Sequence, residues 1–324
     1  RGRSVVRSRT VQTGTRPVAL AAGDFNSDGT TDVAVANQES DNVTVFYGGF
    51  TASLRSETIN EIGDSPRALT AGDFNGDGRV EIAVANYVSD SLAVLSRISE
   101  GQYTVDEADS GPGATAIAAA DFNSDGWLDL TTVNQTSRGF SVLLNRAGKF
   151  PAPPKFDVES QPQAMATADL NGDGNLDIVT ANYIEAERTQ NENSAERLLH
   201  EEGGIVFPLL GDGRGGYAEG VHFSVGEHPS SLTVGDFNRD NLPDLAVADR
   251  HNRIFVFRNT GNARFAASAV LTGFGREPYS IQNADFNRDG NLDLAVANRL
   301  SHNVAVLSGN GDGTFEQAAN ILVG

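Results

Sequence analysis

The chain has 324 residues, no cysteine, and 43 acidic against 24 basic side chains, for a formal charge of −19. The missing cysteine excludes disulfides and thiolate metal sites, and the charge argues against nucleic acid or an anionic membrane as a partner. No apolar run approaches the roughly 18 residues of a membrane span, so membrane insertion is not expected.

In chain order, the N-terminal RGRSVVRSRT is basic with no long apolar stretch behind it, so no signal peptide is read in this chain. Residues 4–13, SVVRSRTVQT, read as a strand without a blade of its own, either extra or ring-closing. From residue 15 a unit of about 48 residues recurs: 15–64, 65–111, 112–160, 161–227, 228–276 and 277–324. Each unit opens on a segment of small residues, such as RPVALAAG or PRALTAG. An acidic loop follows, then a short apolar segment such as DVAVAN, EIAVAN or DLAVAN. A polar turn leads to a third segment, as in NVTVFYG or NVAVLSG, and a Gly-rich turn to a looser fourth. Several segments alternate with period two between turn residues. Four candidate strands repeated six times predict an all-β fold, a β-propeller of four-stranded antiparallel blades. Six blades is the preferred count. Seven is the alternative, because both residues 4–13 and the C-terminal FEQAANILVG read as fourth strands.

The acidic loops keep one register. Asp24, Asn26, Asp28 and Asp32 stand at positions 1, 3, 5 and 9 of the first, with the carbonyl of Thr30 at position 7 and a turn glycine, Gly29, at position 6. The same positions hold Asp73, Asn75, Asp77, Arg79 and Glu81 in the second loop, and Asp121, Asn123, Asp125, Trp127 and Asp129 in the third. They hold Asp169, Asn171, Asp173, Asn175 and Asp177 in the fourth, Asp236, Asn238, Asp240, Leu242 and Asp244 in the fifth, and Asp285, Asn287, Asp289, Asn291 and Asp293 in the sixth. Calcium takes six to eight oxygen ligands, and oxygens at alternate positions around a tight turn supply them. An all-oxygen set disfavours zinc and copper. Asp, Asn and Gly also make ordinary turns, but a turn asks for no carboxylate at position 9. The loops hold 18 of the 43 acids; six bound Ca²⁺ would bring −19 to −7. The second loop, with Glu81 at position 9, and the fifth, with Asn241 at the glycine position and Pro243 after it, are expected to be the weaker sites.

The pattern D-F-N-x-D-G-x-x-D-L-A-V-A-N followed by V-x-V-L-x-G-N-G-D-G-x-F resembles the FG-GAP/VCBS repeat, the blade unit of integrin α-subunit propellers and of many secreted bacterial proteins. The resemblance runs from about Arg16 to Gly324. It implies a calcium ion in each loop, up to six in all. It also implies an extracellular or cell-surface setting and a binding or adhesion role toward a glycan or an extracellular protein, as a monomer or part of a larger secreted protein. The family includes lectins, receptor ectodomains and polysaccharide lyases. Integrin propellers usually have seven blades, so six is a departure.

Strand direction puts the acidic loops and the Gly-rich hairpins on one face, and the inter-unit connections and polar turns on the other. Tyr87, Tyr183, Arg250, His251, Arg299 and His302 are the candidate ligand residues on that second face, among asparagines that cap its turns. The insertion 184–202 belongs to the same face; its SAERLLHEE end is expected to be helical, with Ser194 as a cap. GDGRGG at 211–216 lacks the Lys-Ser/Thr and helix of a phosphate loop and reads as a hairpin turn. Two functions compete: a calcium-stabilised, lectin-like binding module, and a carbohydrate-active enzyme such as a lyase, with a His or Tyr base and an Arg neutraliser. No nucleophile–base motif appears, and the binding module is preferred.

Overall fold

The computed structural model describes residues 11–49, 55–158, 160–185 and 203–323. It is all-β and forms six sheets, one per sequence unit, in a six-bladed β-propeller. The first blade comprises β1 (Pro17–Gly23), β2 (Asp32–Asn37), β3 (Asn42–Tyr47) and β4 (Arg55–Ile59). The second comprises β5 (Pro66–Gly72), β6 (Glu81–Asn86), β7 (Ser91–Ser99) and β8 (Gln102–Asp109). The third has β9 (Ala114–Ala120), β10 (Asp129–Asn134), β11 (Gly139–Leu143) and β12 (Lys155–Asp157). The fourth has β13 (Gln161–Ala168), β14 (Asp177–Ile184), β15 (Gly203–Gly211), β16 (Tyr217–Glu219) and β17 (Phe223–Ser224). The fifth has β18 (Pro229–Gly235), β19 (Asp244–Asp249), β20 (Arg253–Asn259) and β21 (Phe265–Leu271), and the sixth β22 (Pro278–Ala284), β23 (Asp293–Asn298), β24 (Asn303–Gly309) and β25 (Phe315–Leu322).

All pairings are antiparallel and follow chain order, as hairpin-connected strands require. The outer strand of the fourth blade is split into β16 and β17, which pair with β15 on either side of Phe207 and Pro208. Proline has no N–H to give the ladder, and the break falls there. The first strands line the inside of the ring and pack on one another in sequence. Their small side chains allow that approach. In the sixth blade the larger Asn283 finds partners on the neighbouring first strand: it accepts from the Thr233 hydroxyl and donates to the Val234 carbonyl at 3.2 Å.

The core is a series of clusters between blades. Phe25, Ala34, Val43 and Val45 meet Leu69, Ile82, Val84 and Leu95 between the first two blades. Four further clusters fill the second-to-third, third-to-fourth, fourth-to-fifth and fifth-to-sixth seams. Both faces of a middle blade are covered this way, which is why β6, β10 and β19 are buried along their whole length. Of the two candidate closing strands, the C-terminal one completes the sixth blade as β25. The other lies outside the described residues except for its last three, as do residues 186–202 of the insertion and with them its expected helix. Among the described residues no helix is long and apolar enough to cross a membrane.

Candidate metal loops and the opposite face

The acidic loops connect the first and second strands of every blade. The backbone turns left-handed twice in each. Position 6 has φ of 82°, 83°, 87°, 87° and 87° at Gly29, Gly78, Gly126, Gly174 and Gly290, and 65° at Asn241, which tolerates the geometry. Position 4 is also left-handed, at Ser27, Gly76, Ser124, Gly172, Arg239 and Arg288, which the sequence pattern did not signal.

Position 1 organises the turn. Asp24 accepts from the backbone N–H of Asp28 at 3.0 Å and of Gly29 at 2.8 Å, and the other first aspartates repeat the bond to position 6. Asn26 and its counterparts accept from position 5, and position 5 accepts from position 7. The bonds from Thr30 hold the exposed Asp28 carboxyl below its usual range, and Asp173 and Asp289 are lowered by the bonds from Asn175 and Asn291.

Position 9 plays a separate part. Asp32, Asp129, Asp177, Asp244 and Asp293 are buried at the start of the second strand. Each uses one oxygen for the N–H at position 2 and the other for an N–H where the third strand ends. For Asp129 the partners are Phe122 N at 2.9 Å and Asn145 N at 2.7 Å. For Asp244 they are Phe237 N at 3.1 Å and Asn259 N at 2.8 Å. Burial, with the two other loop carboxylates adding repulsion, still pushes the Asp129 and Asp244 carboxyls up to about 6, and raises Asp32, Asp177 and Glu81. A buried carboxylate held beside two more favours a cation.

The second loop, expected to be weak, gathers its charges closest. Carboxylate oxygens of Asp73, Asp77 and Glu81 all lie within 4.8 Å of one another. The longer Glu81 arm reaches into the loop, where it accepts from Phe74 N at 2.8 Å and Asn75 Nδ2 at 3.0 Å. Three carboxylates with an asparagine oxygen make an all-oxygen donor set that fits Ca²⁺.

The Gly-rich hairpins sit on this same side, and those of the fifth and sixth blades rest on the loop of the preceding blade. Gly313 N donates to Phe237 O at 2.9 Å and Ala263 N to Leu170 O at 3.1 Å. Asn145 clasps two blades: its Nδ2 donates to Phe74 O at 2.7 Å and Leu128 O at 2.9 Å. Asn259 does the same with Leu170 O and Pro243 O. GDGRGG is the turn between β15 and β16, closed by Asp212 accepting from Arg214 N and Gly216 N.

On the opposite face the recurrent asparagines are structural. Asn37, Asn86, Asn134, Asn182 and Asn298 are buried, and their amides bond within the turn or to the incoming connection. Asp249 stands at the same place and accepts from the N–H groups of Glu227, His228 and His251. The flanking residues form pairs. The Arg67 guanidinium lies 3.6 Å from the centre of the Tyr87 ring, and Arg250 5.6 Å from that of Tyr279. Tyr183 stacks on His228 at 4.7 Å, and His228 meets His251 at 5.1 Å. Arg299 is tied to Glu277 at 3.3 Å, while His302 is an exposed turn residue with φ 49°. Burial lowers the Arg67 guanidinium, with repulsion from Arg16 adding to it and Tyr87 and Tyr279 opposing it.

Arg67, His228 and Tyr279 were not singled out in the sequence. The structure places a register shift just inside the start of each first strand, facing the last residue of the second. The bulged residues are Val18, Arg67, Thr115, Gln163, Ser230 and Tyr279, and a bulge re-aims a side chain. The signal was the proline that opens most of these strands, with the varied residue after it.

The FG-GAP-like repeat matches residues 24–84, 121–180, 236–296 and 285–324, and the FG-GAP repeat matches residues 65–104. No curated protein matches the chain. Among solved structures it is similar to the periplasmic gluconolactonase PpgL of Pseudomonas aeruginosa (TM-score 0.68, 15% identity, 99% of this chain and 89% of that one). A protein from Lactobacillus plantarum gives TM-score 0.70 at 14% identity over 97% and 87%. BBS1N, solved in complex with ARL6DN, gives 0.64 at 13% over 96% and 82%. At such identities the likeness is one of fold. The repeats cover well over half of the chain in the register of its blades, and the chain belongs to the FG-GAP-like repeat family.

Proposed function

We propose that this is a calcium-stabilised extracellular binding module that recognises an anionic, hydroxyl-rich ligand such as an acidic glycan, on the face opposite the acidic loops. The observation that carries the reading is the pair of cation–aromatic contacts there, Arg67 with Tyr87 and Arg250 with Tyr279, beside the ring stack of Tyr183, His228 and His251. In a chain of charge −19, Arg67 and Arg250 place cations beside flat rings. Rings stack on sugar faces, and guanidinium groups bind carboxylate or sulfate in a fork.

Two surface grooves of about 280 Å³ each lie between neighbouring blades, one lined by Glu57, Glu61 and Tyr103, the other, beside a Gly-rich hairpin of the acidic-loop side, by Asp106, Arg146 and Lys149. Shallow inter-blade grooves suit a lectin-like role better than catalysis. The enzyme reading, a lyase or the sugar-lactone chemistry in the name of PpgL, has His251 within 3.5 Å of Asp249 and Glu227 in its favour. Both Asp249 oxygens, however, are already taken by backbone N–H groups.

A glycan array run with calcium and with chelator tests the reading. Binding to uronate- or sulfate-bearing glycans, lost in Arg67→Ala with the melting temperature kept, is expected. Turnover of a sugar lactone, or binding indifferent to Arg67→Ala and Arg250→Ala, would overturn it.

A further inference from the structure

We propose that the two blade faces on either side of the sixth-to-first seam are a docking surface for one further four-stranded blade of this same repeat type. Five of the six seams are packed: β1 lies against β5, β5 against β9, β9 against β13, β13 against β18, and β18 against β22. Among the described residues β22 and β1 form no comparable contact, and no core cluster joins the two blades.

Side-chain exposure repeats the contrast. The residue at loop position 2 is driven into the next blade at every packed seam: Phe25, Phe74, Phe122, Leu170 and Phe237 are at most 4% exposed. Phe286, their counterpart in the sixth blade, is 51% exposed. Beside it Ala295, Val304 and Val306 are half-buried and Ala297 is exposed, although the matching Ala83, Val94, Leu92 and Ala85 of the second blade are buried. Across the seam Leu20 is 69% exposed, whereas its counterpart Leu69 is 8% exposed. Val33 and Val35 are half-buried where Ile82 and Val84 are fully covered. Both faces keep the residue pattern of an inner seam.

That continuity names the occupant. Toward the sixth blade it must present branched apolar residues like Leu69, Ile82, Val84 and Leu95, which seat Phe25. Toward the first it must present an aromatic ring at loop position 2 with small neighbours, as Phe74 and Ala83 meet Leu130 and Leu143. Entry into β1 has the form of an inter-blade connection. Gly14 approaches Asn37 and Ser40 as Gly63 approaches Asn86 and Ser89, and Gln38 N bonds Arg16 O as Tyr87 N bonds Ser65 O. Such a connection follows the fourth strand of the preceding blade elsewhere in the ring.

The test extends the chain at its C-terminus by a copy of its own residues 60–111, the second unit with its connection. The extended chain should melt higher and bind less apolar-surface dye, and the added unit should resist protease. Phe286→Ala should lower its melting temperature by about 5 °C, yet change the unextended chain by about 1 °C or less. Digestion of the added unit with Phe286→Ala silent in both chains would overturn the proposal. So would an equal loss in both, which means that the face is already covered. A dimer of the unextended chain dispersed by Phe286→Asp would assign the surface to a second copy instead.

Discussion

At the residue scale, the informative group is the ninth-position carboxylate. It ends the acidic loop, begins the second strand and anchors the third, all through two backbone N–H groups. Asp129→Ala leaves Phe122 N and Asn145 N buried without an acceptor, and should cost about 2–4 kcal/mol in urea unfolding. The same group sets a pH dependence. The folded Asp129 and Asp244 carboxyls titrate near 6, above the 3.8 of an exposed aspartate, so the native chain holds protons that the unfolded chain has released. The native advantage is therefore complete below about pH 4 and lost as pH rises through about 6. In chelator, the melting temperature should fall between pH 4 and 7. The lowered groups, Asp28, Asp173 and Asp289, act below that window. Under the calcium reading the cation needs ionised ligands, so the rise in melting temperature on adding Ca²⁺ should grow over the same interval. A calcium increment that does not depend on pH would contradict this.

At the element scale, blades are joined by apolar faces, and at two places also by an asparagine clasp. At or just past the end of the third strand, three blades have Gly48, Gly211 and Gly309, where a Cβ would meet the Thr31, Leu176 and Leu292 carbonyls at 2.2, 2.3 and 2.1 Å. Two others have Asn145 and Asn259 there, which reach the preceding blade. Asn145→Ala should cost about 1–3 kcal/mol, because the buried Phe74 and Leu128 carbonyls lose their donor. The strands themselves were legible. Period-two segments between turn residues predicted four per unit, and the six acidic loops counted the blades. The first-strand bulge was not legible, since it arises from pairing against the second strand and leaves only a proline as its mark. Arg67 and Tyr279 were missed for that reason.

At the scale of the whole molecule, charge and closure dominate. Eighteen of 43 acids are concentrated in six loops on one face, and self-repulsion there opposes the compact state. Under the calcium reading, chelation should lower the melting temperature and Ca²⁺ restore it by mass action. Added salt should stabilise the chelated protein more than the calcium-loaded one, because screening relieves the same repulsion. An unchanged melting temperature in chelator would remove calcium from the account. By itself the sequence determined the repeat, the strands and the register of the acidic loops, and favoured six blades over seven, because periodicity and turn chemistry are local. Only the tertiary structure decided which loop gathers its carboxylates most closely, how Arg67 and Tyr87 come to stack, and which seam lacks its apolar partner. Those depend on how one blade stands against the next, and no single unit encodes that.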